Sequence, residues 1–139
     1  MKAVLPAVAI ITVLFSCQKS SDDQPQPEQK DFIGKYTITK LLFQTKGHPD
    51  EDLLSTLPGC TQDDLLVFAA DSLFKTEDAG VSCGQSENEP TVWFTKGNKM
   101  YIDGVVSDIV SFDKHTLVLT TPMEFFGAQG IVKETLEKQ

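Results

Sequence analysis

Hydrophobic and polar positions divide this chain into three zones. Ala3 to Phe15 is apolar and uncharged, behind a single Lys2. Gln18 to Lys30 reads QKSSDDQPQPEQK, with no apolar side chain besides its prolines. From Asp31 onward, short runs rich in β-branched and aromatic residues alternate with turn residues, the pattern of half-buried strands. Tyr36–Phe43, Asp64–Ala69, Ser72–Thr76, Thr91–Lys96, Lys99–Asp103, Val105–Phe112, His115–Thr121 and Gly130–Glu137 are the expected strands. Gly97-Asn98 and Asp103-Gly104 are two-residue hairpin signals, and Asp71-Ser72 and Asp113-Lys114 mark further turns. Residues 49–57 read as one short helix, with Asp50, Glu51 and Asp52 suiting its positive N-terminal end. About eight short strands at this spacing predict an all-β meander that closes into a barrel or a sandwich. Alternation puts Tyr36 with Ile38, Leu66 with Phe68, Trp93 with Thr95, Met100 with Ile102, and Leu117 with Leu119 on inward faces.

The first zone is too short for the roughly 20 residues of a membrane-spanning helix, and Pro6 interrupts it. It fits a secretory signal. It ends Leu14-Phe15-Ser16-Cys17, which resembles the lipobox of bacterial lipoproteins: apolar at −3, small at −1, then cysteine. The resemblance implies cleavage after Ser16 and diacylglycerol on the Cys17 thiol. Two or three acyl chains on one residue suffice for stable anchoring, at about 0.8 kcal/mol per buried CH₂. The expected organisation is a signal peptide over 1–16, a lipidated cysteine with a flexible tether over 17–30, and one domain over 31–139. Gln18-Lys19 followed by Asp22-Asp23 resembles the charged signal that sends some Bacteroidota lipoproteins to the outer face of the outer membrane. The expected location is therefore the outer membrane, on its periplasmic face or at the cell surface.

Charge and cysteine count refine this picture. The net charge of −8 becomes about −9 once Lys2 leaves with the signal. Such a chain repels nucleic acid and anionic headgroups. It contains no Arg, the residue whose planar fork clamps phosphates and carboxylates. Of three cysteines, assigning Cys17 to lipid leaves Cys60 and Cys83, which can pair in an oxidising compartment. Metal binding by two cysteines with no nearby His is the weaker alternative.

Cys60-Thr61-Gln62-Asp63-Asp64-Leu65-Leu66-Val67-Phe68, then Asp71-Ser72-Leu73-Phe74, then Cys83, resembles the lipocalin-like domain of Bacteroidota envelope lipoproteins. The Trp93 strand, the Gly97-Asn98 hairpin, Ile102 and Thr116-Leu117-Val118-Leu119 continue the likeness over about residues 31–137. Gly34-Lys35-Tyr36 is similar to the Gly-x-Trp opening of lipocalins, with Tyr in place of Trp. The resemblance implies a small antiparallel lipocalin-like β-barrel with one short helix. Such a barrel holds one small ligand or is filled by side chains. Phe68, Phe74, Trp93 and Leu117 are the candidate ligand-lining residues.

Other chemistry is weaker. Gly80-Val81-Ser82-Cys83-Gly84 matches a nucleophile elbow, with Asp103 or Asp108 and then His115 in hydrolase order. The motif needs a helix after the serine, and Gln85–Pro90 is a polar loop. His48-Pro49-Asp50-Glu51-Asp52 gathers metal-capable groups without the spacing of a calcium loop. Asp71-Ser72-Leu73 resembles a Bacteroidota O-glycosylation sequon, although a turn explains the same residues. The expectation is a non-enzymatic, lipid-anchored module without cofactor or metal, binding a small apolar ligand. The alternative is a filled barrel that binds an envelope protein.

Overall fold

The computed structural model describes residues 26–84 and 89–139. The expected signal peptide, Cys17 and most of the tether lie outside the described residues. The chain forms β1 (Gly34–Gln44), β2 (Glu51–Asp52), α1 (Gly59–Gln62), β3 (Leu65–Phe68), β4 (Leu73–Glu77), β5 (Thr91–Lys96), β6 (Lys99–Ile102), β7 (Val105–Phe112), β8 (Thr116–Phe125) and β9 (Ala128–Lys138). From β3 to β9 each strand pairs antiparallel with the next. β1 pairs with β3 on one side and with β9 on the other, so eight strands close into a barrel, with β2 alongside β1. Of the barrel and the sandwich that the strand pattern allows, the chain forms the barrel, and it is the lipocalin-like one that the resemblance implies.

The turns follow their residue chemistry. Asp103 and Gly104 both take positive φ (50° and 79°), as a type I′ hairpin requires. Gly97 sits at φ 60° at the first position of the β5–β6 turn. Closure bends the long strands at two bulges, between Ile38 and Lys40 in β1 and between Ile109 and Ser111 in β7. Each inserts one residue and increases the local twist. β8 runs four residues past the expected Thr121 and through Pro122. Pro122 is tolerated because the β7–β8 ladder ends at Asp108↔Thr120, so no amide is needed on that side.

The helix expected over residues 49–57 is not formed. β1 extends to Gln44, and its Leu42 and Phe43 pair with Asp52 and Glu51. The acidic run is therefore taken into a short strand. Asp52 then accepts the backbone N–H groups of Leu54 and Ser55, at 3.0 and 3.3 Å, and starts a 3-10 turn at Leu54–Thr56. The α-helical turn, α1, comes only after Pro58.

One end of the barrel is packed solid. A 3-10 turn over Gln29–Phe32 seats Phe32 in the end of the barrel, 4.6 Å between ring centroids from Phe112. The Tyr36 hydroxyl donates to the Phe32 carbonyl at 2.9 Å. Burial pushes its pKa up to about 12, so it remains a donor at any ordinary pH. Phe68 lies edge-on to both Tyr36 and Trp93, at 5.5 and 5.0 Å. Trp93 is fully buried, and its indole N–H donates to the Ala69 carbonyl at 3.1 Å. Met100, Leu117, Leu119 and Leu136 complete this core. Burying each such side chain contributes about 1.5–3 kcal/mol.

Cys60 and Cys83 form a disulfide that ties the loop after β4 to α1. Closing a loop of this length stabilises by about 3 kcal/mol in the chain-entropy account. Asp63 reinforces the tie by accepting the Val81 amide at 2.8 Å. Gly80 is required there: its φ is +66°, and a Cβ would stand 2.2 Å from the Asp63 carboxylate. The Cys-x-x-Asp-Asp stretch is thus a clamp on the β4–β5 loop.

Candidate binding cavity

Beyond the aromatic plug the barrel is hollow. A cavity of about 470 Å³ is walled by Ile38, Leu66, Phe68, Phe74, Ile102, Leu119, Val132 and Leu136, with Met123 and Val105 further out. This lies within the roughly 300–1,000 Å³ of small-molecule sites. The strand period builds the wall. Ile38 faces Leu136 across β1–β9, Leu119 faces Glu134, and Thr121 faces Val132 across β8–β9, so these positions share the inner surface. β4 and β5 pair only at Leu73↔Val92 and Phe74↔Thr91. Thr91 at the end of that short ladder, and Lys75, Thr76 and Glu89 beyond it, line the cavity.

Of the four expected lining residues, Phe68 and Phe74 lie on the cavity wall, 5.1 Å apart. Trp93 and Leu117 are at 0% exposure inside the packed end. Phe68 is the divide between plug and cavity. A second groove, of about 780 Å³, runs outside the packed end between residues 26–31, Gly97-Asn98 and 109–114. Its lining is mostly exposed and mixes Ile109, Val110 and Phe112 with charged residues, among them the Glu28–Lys30 ion pair.

Besides Lys75, Thr76, Glu89, Thr91 and Asp103, the wall carries the Ser107–Thr121 pair and Glu134. Ser107 and Thr121, both buried, share a hydrogen bond of 2.7 Å and so satisfy each other. Glu134 is different. It sits between Val132 and Leu136 on the inner face of β9, opposite Leu119 on one side and Leu41 on the other. No hydrogen bond or ion pair reaches its carboxyl among the described residues. Burial holds its pKa above the ordinary glutamate range. The strand over Gly130–Glu137 was expected from its sequence, but no role attaches to Glu134 until alternation is extended to β9. Its signal is a lone acid in the apolar row Val132-Glu134-Leu136.

The remaining motif residues have local partners. Ser82 is exposed in the β4–β5 loop, where its hydroxyl accepts the Gly84 amide at 3.1 Å. Asp103 is engaged by Thr91 at 2.8 Å and Asp108 by Lys99 at 2.6 Å, so neither orients His115. Asp50 accepts Gln44 Nε2 at 2.8 Å. Among the described residues no three His, Cys, Asp or Glu side chains group to hold a metal ion. Ser72 takes φ 65° in its turn, and its hydroxyl accepts Gln29 Nε2 at 3.0 Å.

The fold and cavity define a closed, lipocalin-like antiparallel barrel, solid at one end and hollow at the other. In comparisons with known proteins, no family model and no curated protein matches the chain.

The half-buried carboxyl of Glu134 makes stability depend on pH. Burial raises the folded-state pKa of Glu134 above the ordinary glutamate value of about 4.3, at which the unfolded chain ionises. Its cost therefore grows as pH rises from that value through the folded-state pKa. Glu134→Gln is expected to raise the urea midpoint at about pH 8 and leave it unchanged at about pH 3. Equilibrium unfolding across that range checks this; a loss of stability at the higher pH would mean that the carboxylate has a stabilising partner.

Proposed function

We propose that this protein is a lipid-anchored lipoprotein of the bacterial cell envelope whose barrel binds a small apolar ligand without catalysis. The observation that carries the binding reading is the apolar cavity of about 470 Å³ in a closed barrel. A core selected only for stability fills such space, because voids forfeit contact energy. The cavity is bounded on one side by the packed aromatic cluster and walled by the strands of the closed barrel, which supports a preformed shape. The anchoring reading rests on the lipobox-like Leu14-Phe15-Ser16-Cys17 and the polar stretch that follows it. The Cys60–Cys83 disulfide supports an exported location.

One observation favours the second reading, a surface that binds an envelope protein. Leu73, Val92, Phe94, Tyr101 and Val106 occupy adjacent outward positions across β4–β7. Phe94 and Tyr101 stack at 4.5 Å, and Val92 is 57% exposed. An apolar stripe of this kind on a sheet exterior marks an interaction site. The two readings are separable because the surfaces are different.

N-phenyl-1-naphthylamine, whose fluorescence rises in apolar surroundings, is expected to bind the purified domain saturably. Val105→Trp at the cavity's outer end should weaken binding about tenfold or more, while Phe94→Lys on the outer stripe should leave it unchanged. The reverse pattern would place the apolar site on the exterior.

Radiolabelled palmitate is expected to enter the protein expressed in its bacterial envelope and to be lost in Cys17→Ala. Equal labelling of the two would rule out Cys17 as the anchor.

A further inference from the structure

Glu134 is placed against its own chemistry. The inward row of β9 is Val132, Glu134, Leu136, and its flanking partners Leu41 and Leu119 are apolar. Register is fixed by that row, since a one-residue slip would expose Val132 and Leu136. Glu134 is half-buried, and the register keeps its side chain on the cavity lining and off the outer surface of the sheet. A polar group on an apolar wall costs free energy unless something bonds to it, and no described side chain does.

The charges around it indicate what would. Besides Glu134, the cavity is lined by Glu89, Asp103 and Lys75. The single cation, Lys75, is held by Glu77 at 2.9 Å. Three carboxyls against one engaged ammonium repel an anionic ligand, and the chain has no Arg to clamp one. A neutral apolar ligand would leave Glu134 without a partner. The Ser107–Thr121 pair already satisfies itself, so it makes little demand on the ligand. A ligand with an apolar body and a protonated amine would cover the wall and give Glu134 a charge-assisted hydrogen bond. The overall charge of −8 attracts the same class from a distance.

We propose that the barrel cavity selects lipophilic amines, with Glu134 as the residue that fixes the amine inside. This rests on the reading of the cavity as a ligand site. Calorimetric titration of the domain with decylamine, decanol and decanoate, each below its aggregation concentration at neutral pH, tests it. Decylamine is expected to bind at least about tenfold tighter than decanol, a difference of roughly 1.4 kcal/mol, and decanoate should bind weakest. Glu134→Gln should abolish the amine's advantage and leave decanol within about twofold. Circular dichroism of the variant verifies the barrel. Decanol binding as tightly as decylamine, or an amine preference that survives Glu134→Gln, overturns the assignment to Glu134 while the ligand cavity stands. Binding of none of the three overturns both.

Discussion

The pairing of β1 with β9 is the constraint on which everything else depends. Ile38 meets Leu136 and Phe43 meets Val132 across nearly the whole described chain, and this turns a linear meander into a closed surface. Closure gives every strand an inside and an outside. It also protects the first and last strands, which would otherwise be sheet edges. The bulges at Ile38/Lys40 and Ile109/Ser111 supply the bending that closure demands. Loss of this ladder would leave neither a core nor a cavity.

Inside the closed surface the chain distributes its bulk unevenly. Phe32, Tyr36, Phe68, Trp93 and Phe112 crowd one end, locked by the Tyr36–Phe32 and Trp93–Ala69 hydrogen bonds. The other end sets Val132, Thr91, Ser107, Thr121 and Glu134 among the apolar Ile38, Phe74, Ile102 and Met123 and leaves space between them. Stability is concentrated in the plug, which leaves the hollow end available for binding. The clamp formed by Cys60–Cys83 and Asp63–Val81 has the same logic, because it holds a long loop beside a short β4–β5 ladder. In the proposed reading, stability and binding occupy different halves of one barrel.

Much of this was legible in local pattern. Alternation identified the inward residues of β1, β3, β5, β6 and β8, and Gly97-Asn98 and Asp103-Gly104 marked their turns because few residues tolerate those angles. Cysteine arithmetic identified the disulfide. What was not legible depended on distant partners. Residues 49–57 resembled a helix start, yet pairing with Leu42 and Phe43 drew Glu51 and Asp52 into a strand. The strand expected over His115–Thr121 continues through Pro122 because β8 has by then passed the end of its β7 ladder. Trp93 was an obvious candidate wall residue by size; only the closed barrel shows that it lies behind Phe68 in the plug. Glu134 was hidden for the opposite reason, since a lone acid near the C-terminus looks like surface until β9 is given a register.

The central claim is that the hollow end holds a small molecule. Native mass spectrometry of the protein purified from its own envelope, followed by denaturing extraction, tests this directly. A reproducible adduct of one low-mass species, released on unfolding and absent from a Val105→Trp variant, is the predicted result. A bare protein mass across independent preparations, with nothing recovered on extraction, would contradict it.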